Sequence, residues 1–243
     1  MILDIFKDSL EYSAQDWRTL VKLGIISLFS FLLLPVFLVA GYNYRVINTA
    51  VNGVINGKDP LPDFNDIVAM FVDGVKLVVV QIVYMIIPIA IFLVVIAISS
   101  QLSGGWALVL VVIGFLIALI VGIIAYLMLQ IGVCHMIYND GQLSKAFAFS
   151  EIKEIIDEIG WFDCILTYVG LVIITCVIST VVSTIIGFVF TAFGFSGLML
   201  GINTSGVFLL GMLINISVAM FFVGPYLSIF NSRSIGLLYS LHL

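Results

Sequence analysis

Five side chains stand where this sequence could bind phosphate or move protons: Arg45, Asp73, Lys76, His135 and Asp163, each close to the edge of an apolar segment. Asp73 and Lys76 are three residues apart and can pair on one helix face. Arg45 and Lys76 could together grip a lipid head group or another phospholigand in a cleft between polar linkers. The competing role for both cations is to snorkel, anchoring helix ends and setting topology. Deeper in the apolar segments the polar groups are neutral. Gln81 lies five residues past Lys76 and Gln130 five before His135, so in a hairpin the two amides reach one depth, with Tyr84 and Tyr126 forming a second level. Asn215 sits near the middle of the last apolar segment, and Thr175, Ser179, Thr180, Ser183 and Thr184 line the one before it. These residues fit a polar track into a helical bundle. They fit equally well interhelical hydrogen bonds of about 0.6–2 kcal/mol and close packing of small residues. With no carboxylate, Lys or Arg among them, a proton relay has no carrier. Cys134-His135 and Asp163-Cys164 bracket a linker but lack paired ligand spacing, so neither a metal site, a disulfide framework nor a cofactor is indicated.

The elements that must position these groups follow from composition. With 63% apolar and 9% charged residues, the 243-residue chain is far from a soluble globular protein. Its net charge of −5 argues against nucleic acid. Apolar segments run over 23–41, 75–99, 106–133, 165–193 and 207–229, and the last four exceed the roughly 30 Å needed to cross a bilayer. The N-terminal residues 2–17 predict an interfacial helix with Leu3, Phe6, Leu10 and Trp17 near one face and Asp4, Lys7, Asp8 and Glu11 on the other. Mixed charge there does not match a cleaved signal peptide.

All nine Lys and Arg residues fall in the N-terminal segment, the 42–76 and 134–163 linkers, or the C-terminal tail. The joins 100–105 and 194–206 are short, Gly-rich and uncharged, so 75–99 with 106–133 and 165–193 with 207–229 read as two hairpins returning to one side. The positive-inside rule makes that side cytoplasmic. Within the first linker, Val46, Ile47, Ala50, Val51, Val54 and Ile55 share a helical face; Gly57, Pro60 and Pro62 then force a turn, and Phe64, Ile67, Phe71 and Val75 start a second short helix. Both pieces are expected to lie flat at the interface. Residues 149–159 predict a third such helix, with four acids opposite an Ile stripe, which suits a basic protein partner better than anionic lipid. Asn203-Thr204-Ser205 fits a glycosylation sequon too close to the bilayer to be used.

Gly41 to Asn48, Gly132 to Asn139 and Gly224 to Asn231 each end an apolar segment with Gly, six residues, then Asn. The pattern admits an internal repeat of units 1–48, 49–139 and 140–231 within a single membrane domain. In it the first segment is a shortened hairpin broken at Pro35; the alternative is one full span over 23–41.

Trp17, then Gly41-Tyr42 with Arg45, Gly57, Leu61-Pro62, Phe64, Phe71, Asp73-Gly74, Lys76, and Tyr84 before Pro88, resembles the signature of a prokaryotic, chiefly archaeal, membrane family, domain of unknown function 4013. The resemblance is carried by about the first ninety residues and, past Pro88, by hydropathy and the Pro225-Tyr226 to Tyr239 stretch. It implies an integral membrane protein, and brings no catalytic residues with it.

The expected fold is therefore an all-α polytopic bundle with four full spans, a broken first segment and interfacial amphipathic helices. The expected function is non-enzymatic, organising membrane lipid or a protein partner through the cytoplasmic linkers. Two rivals stand beside it. A transporter or channel for a neutral or amphiphilic solute would need a cavity reaching Asn215, and an interfacial lipid-modifying enzyme would need a cleft joining Arg45, Asp73 and His135.

Overall fold

A computed structural model describes residues 1–201 and 204–243; Asn203 of the sequon lies outside them. The helices are α1 (Ile2–Ser13), α2 (Trp17–Leu28), α3 (Leu34–Val51), α4 (Ile67–Ser99), α5 (Gly105–Tyr138), α6 (Phe149–Ile159), α7 (Trp161–Met199), α8 (Ser205–Val218) and α9 (Gly224–Tyr239). Between α8 and α9 a π-helical turn, Ala219–Val223, keeps the rod unbroken, so Ser205–His242 joins α4, α5 and α7 as the fourth helix long and apolar enough to cross a membrane. Among the described residues there is no strand, and the fold is an all-α polytopic bundle.

The four long helices hold 33–39 residues each, about 50–58 Å, well beyond a hydrocarbon core of roughly 30 Å. Their surplus is at the charged end. There α1, the 52–66 loop, the 139–148 connection, α6 and the end of α9 close over the bundle as a cap, and much of the buried core lies between it and the helix ends that it covers: Ile5, Val51, Ile131, Met136, Ile152, Phe230 and Leu238. Below the cap each helix packs on its hairpin partner and on little else. Only 6% of the most apolar window of α5, α7 and the α8–α9 rod is buried. α4 pairs with α5 and α7 with α8, but α5 touches α7 little, so two hairpins hang from one cap like splayed legs.

The first apolar segment does not span. α2 ends at Leu28, a 3-10 turn over Ser30–Leu32 closes its own backbone hydrogen bonds, and Leu33 takes a positive φ of 64°. α2 starts at the cap, where Tyr12 and Gln15 bond the 59–60 carbonyls just before it, and α3 ends there with Ala50 and Val51 in the core. Twelve residues of α2 reach only about 18 Å. The break therefore falls at 29–33, a turn earlier than expected, because Pro35 suits the first turn of the following helix, where its missing N–H costs nothing.

Two further expectations are corrected. The linker pieces are not separate flat helices: 45–51 are the last turns of α3 and 67–75 the first turns of α4. No helix breaker stands between them and the apolar segments, so the hydrogen-bond ladder continues. The N-terminal helix ends at Ser13, and its buried face is Ile5, Phe6, Asp8, Ser9 and Tyr12, whereas Leu3 and Trp17 are exposed.

The family-signature residues build the α3–α4 crossing and its loop. A Cβ on Gly41 would overlap the Met70 carbonyl, and one on Gly74 the Phe37 carbonyl, so only glycine lets these backbones meet. Phe71 packs edge-on against Phe37 at 5.3 Å. Buried Tyr42 stacks on Phe64 at 4.6 Å, with Leu61 against the same cluster and Lys22 over the Phe64 ring. Gly57 and Pro62 shape the loop, while Pro88 continues through α4 opposite Gly122 of α5.

Candidate functional site

Arg45, Asp73, Lys76 and His135 are each engaged with another side chain or with backbone. Arg45 donates to the carbonyls of Asp63 (2.8 Å), Asn65 (2.7 Å) and Asp66 (3.1 Å) and to the Asn65 side chain, clamping the loop into α4. Lys76 sits 3.5 Å from Asp73 and over the Tyr44 ring. Burial, then Asp73 and Asp140, pushes the Tyr44 phenol up to about 12, so it stays neutral. His135 bonds elsewhere: to Glu151 of α6 at 2.7 Å and to the Tyr239 hydroxyl at 2.9 Å. Lys145 completes that group at 2.8 Å from Glu151, and hydrogen bonds from Lys145 and His135 hold the Glu151 carboxyl below the usual range. Arg45, Asp73 and His135 are thus each held by a different partner, and no hydrogen bond or ion pair among the described residues joins them.

A triad that sequence reasoning missed ties the cap together. Arg233 of α9 is 0% exposed; its Nε donates to Asp8 of α1 at 2.9 Å, its Nη2 lies 2.8 Å from Asp59 of the loop, and its guanidinium stands 4.5 Å above Tyr12. The second Asp8 oxygen accepts the Asn56 N–H at 2.6 Å. Tyr12 donates to the Pro60 carbonyl, and burial pushes its phenol up to about 12, against the pull of Arg233. One signal in the sequence could have found it: Arg233 is the only Asp, Glu, Lys or Arg after Asp163, set among apolar residues where an ion demands a partner.

Beneath the cap, where the hairpins separate, lies a cavity of about 440 Å³. α4 supplies Gln81, α5 supplies Tyr126 and Gln130, α7 supplies Tyr168, Thr175 and Cys176, and α9 supplies Ser228, Asn231 and Ser232, with Asn43 of α3 behind. Of the residues expected to form a polar track, Gln81, Gln130, Tyr126 and Thr175 thus line this cavity, whereas Tyr84 and Asn215 do not. Tyr84 turns to the Ala146 carbonyl at 2.7 Å and stacks with Phe147, while Asn215 bonds Ser183 across the α7–α8 hairpin at 3.3 Å. Only Ser228 touches both the cavity and the hollow beside Asn215. Asn43, Asn231 and Ser228 came from segment ends that the charge pattern passed over.

Beside the cavity an apolar groove of about 560 Å³ lies between α5 and α7, lined by Ala118, Ile123, Ile165 and Val169 and sharing Tyr126, Tyr168 and Val172 with it. No Asp, Glu, Lys or Arg lines either space. Among the described residues no three His, Cys, Asp or Glu side chains gather as metal ligands.

No curated protein and no solved structure matches the chain. One family, described as proteins of unknown function (DUF4013), matches residues 25–191, from within α2 to within α7, leaving Asp8 and Arg233 outside the match. By that coverage the chain, with its four helices long and apolar enough to cross a membrane, belongs to the DUF4013 family.

Proposed function

We propose that this is a non-enzymatic membrane protein that holds and organises lipid, with its cap at the cytoplasmic face of the cell membrane. The observation that carries the proposal is the splay of the two hairpins: an apolar groove of about 560 Å³ between α5 and α7 faces the bilayer and can be filled only by chains at least as apolar as its walls. Lipid contact is thereby moved from the linkers, where Arg45 spends its donors on loop carbonyls, to the cleft beneath them. The cytoplasmic placement rests on Lys and Arg lying only at the cap end. A transport route gains less support, since Asn215 is bonded to Ser183 away from the polar cavity. The full chain, released from nanodiscs in a mass spectrometer, is expected to retain intact lipid of unchanged mass. Release as bare protein from every bilayer tested refutes the proposal.

A second contact is favoured by α6, whose Ile152, Ile155, Ile156 and Ile159 are buried in the cap while Glu154, Asp157 and Glu158 face outward beside a single Lys153. That face suits a basic partner; reversing the three acids should then remove a protein that co-purifies, and unchanged co-purification rules it out.

A further inference from the structure

We propose that the cavity between the hairpins is the head-group site for an uncharged amphiphile bearing hydroxyl or amide groups, its chain lying in the adjoining α5–α7 groove. The inference rests on the lipid-binding function above and names the class of lipid. Three observations carry it.

The first is unused hydrogen-bonding capacity. The amides of Gln81, Gln130 and Asn231 make no hydrogen bond within the described residues, although all three line the cavity. On the α7 wall, the hydroxyls of Tyr168 and Thr175 are buried with no partner, and Tyr168 is only 6% exposed. An amide offers two donors and a two-fold acceptor, and each hydroxyl can do both. A ligand that both donates and accepts satisfies such a wall; one that only accepts leaves half of it idle.

Charge is the second. With no ionic side chain in the lining, a phosphate there would be desolvated without a counter-ion. The nearest cation along α4, Lys76, is five residues above Gln81, about 7.5 Å up the helix, and already paired with Asp73. A neutral head group meets no such penalty.

The third is adjacency. Tyr126, Tyr168 and Val172 line both the polar cavity and the apolar groove, so a polar head in the one lies beside a greasy tail in the other. A free polyol would fill the cavity and leave the groove to bulk lipid.

Cys176 supplies the probe. It is exposed and lines the cavity, whereas Cys134 and Cys164 are buried. In nanodiscs of phosphatidylglycerol, the rate at which N-ethylmaleimide modifies Cys176 is measured alone, with diacylglycerol added to the bilayer, and with free glycerol in the buffer. Diacylglycerol at about ten times its dissociation constant is expected to slow modification about elevenfold, by the factor 1 + [L]/Kd. Free glycerol is expected to leave the rate unchanged; protection by glycerol equal to that by diacylglycerol overturns the amphiphile assignment. In Gln81→Leu/Gln130→Leu, protection should be lost while Cys134 stays unreactive, showing the cap intact. Absence of protection in the native chain, or equal protection in the double variant, overturns the proposal. A protein that retains lipid in the mass spectrometer yet gains no protection fails this inference alone, and one that retains none fails the lipid-binding function as well.

Discussion

Replacing Arg233 by Met tests whether one buried cation holds the cap shut. Met keeps an apolar side chain of similar reach, so the change removes charge and donors with little loss of volume. What remains is Asp8, 5% exposed, with one oxygen still bonded to the Asn56 N–H and the other facing the vacated guanidinium site. Asp59, on the half-open side of the loop, can turn to water and adds little. Stranding one partner of a buried pair costs about 3–5 kcal/mol, and losing the guanidinium over Tyr12 acts in the same direction. At 1.4 kcal/mol per tenfold, opening of α1 from α9 should become roughly a hundred to a few thousand times more frequent. Ser9, fully buried on the same face of α1, provides the readout: Ser9→Cys in a Cys176→Ser background is modified by maleimide at a rate set by the opening equilibrium. Adding Asp8→Asn to Arg233→Met should recover much of the loss, since it removes the stranded charge. A Ser9→Cys rate that changes less than about threefold in Arg233→Met, well below the factor expected from a stranded buried charge, refutes the reasoning.

The α3–α4 crossing gives a steeper result: Gly41→Ala or Gly74→Ala drives a methyl into a carbonyl that cannot move alone, and should abolish folded protein by size-exclusion yield. Gly187→Ala, where a methyl meets nothing within 4 Å in the middle of α7, should be neutral or stabilising by up to about 1 kcal/mol in thermal unfolding. Tyr84→Phe strips the buried Ala146 carbonyl of its partner and should lower stability by about 1–3 kcal/mol. The lowered Glu151 carboxyl stabilises the fold above its ordinary value of 4.5, and that contribution is lost as pH falls through the lower folded value; an acid titration of the unfolding temperature should show this drop, and Glu151→Gln should flatten it.

The membrane architecture was legible because its signal is long. Segments of more than eighteen apolar residues and a charge-free stretch from Lys76 to Asp140 leave few alternatives to spanning hairpins, whereas the backbone contact of Gly41 with Gly74 came only with the fold. What the residues could not give is phase at the cap. On α1 the apolar and polar stripes are read from types, yet Asp8 faces inward because an Arg from the opposite end of the chain meets it there, and Ser9 is buried beside it. Arg45 likewise has the composition of an anion site, and only the loop fold delivers the carbonyls of Asp63, Asn65 and Asp66 that consume it. Asn43 and Asn231 enter the cavity through a meeting of α3 and α9, helices far apart in sequence, so no local spacing announces them.

The division of labour between cap and legs follows from the two solvents. In a bilayer, apolar side chains gain little by leaving lipid for one another, so helices there associate through close backbone approach and hydrogen bonds. At the cap, water restores the hydrophobic drive, and Ile152, Ile156, Phe230 and Leu238 are buried where that drive acts. Stability is thus concentrated at one end and the legs are left free of mutual packing. The polar cavity sits at the boundary, under the last buried layer and above the open groove, with α9 serving both regions: Arg233 closes the cap while Ser228, Asn231 and Ser232, within about one and a half turns of it on the same helix, line the cavity. A tilt of α9 that broke the triad would therefore also displace one wall of the site, and occupancy of that wall by lipid would in turn favour the closed cap.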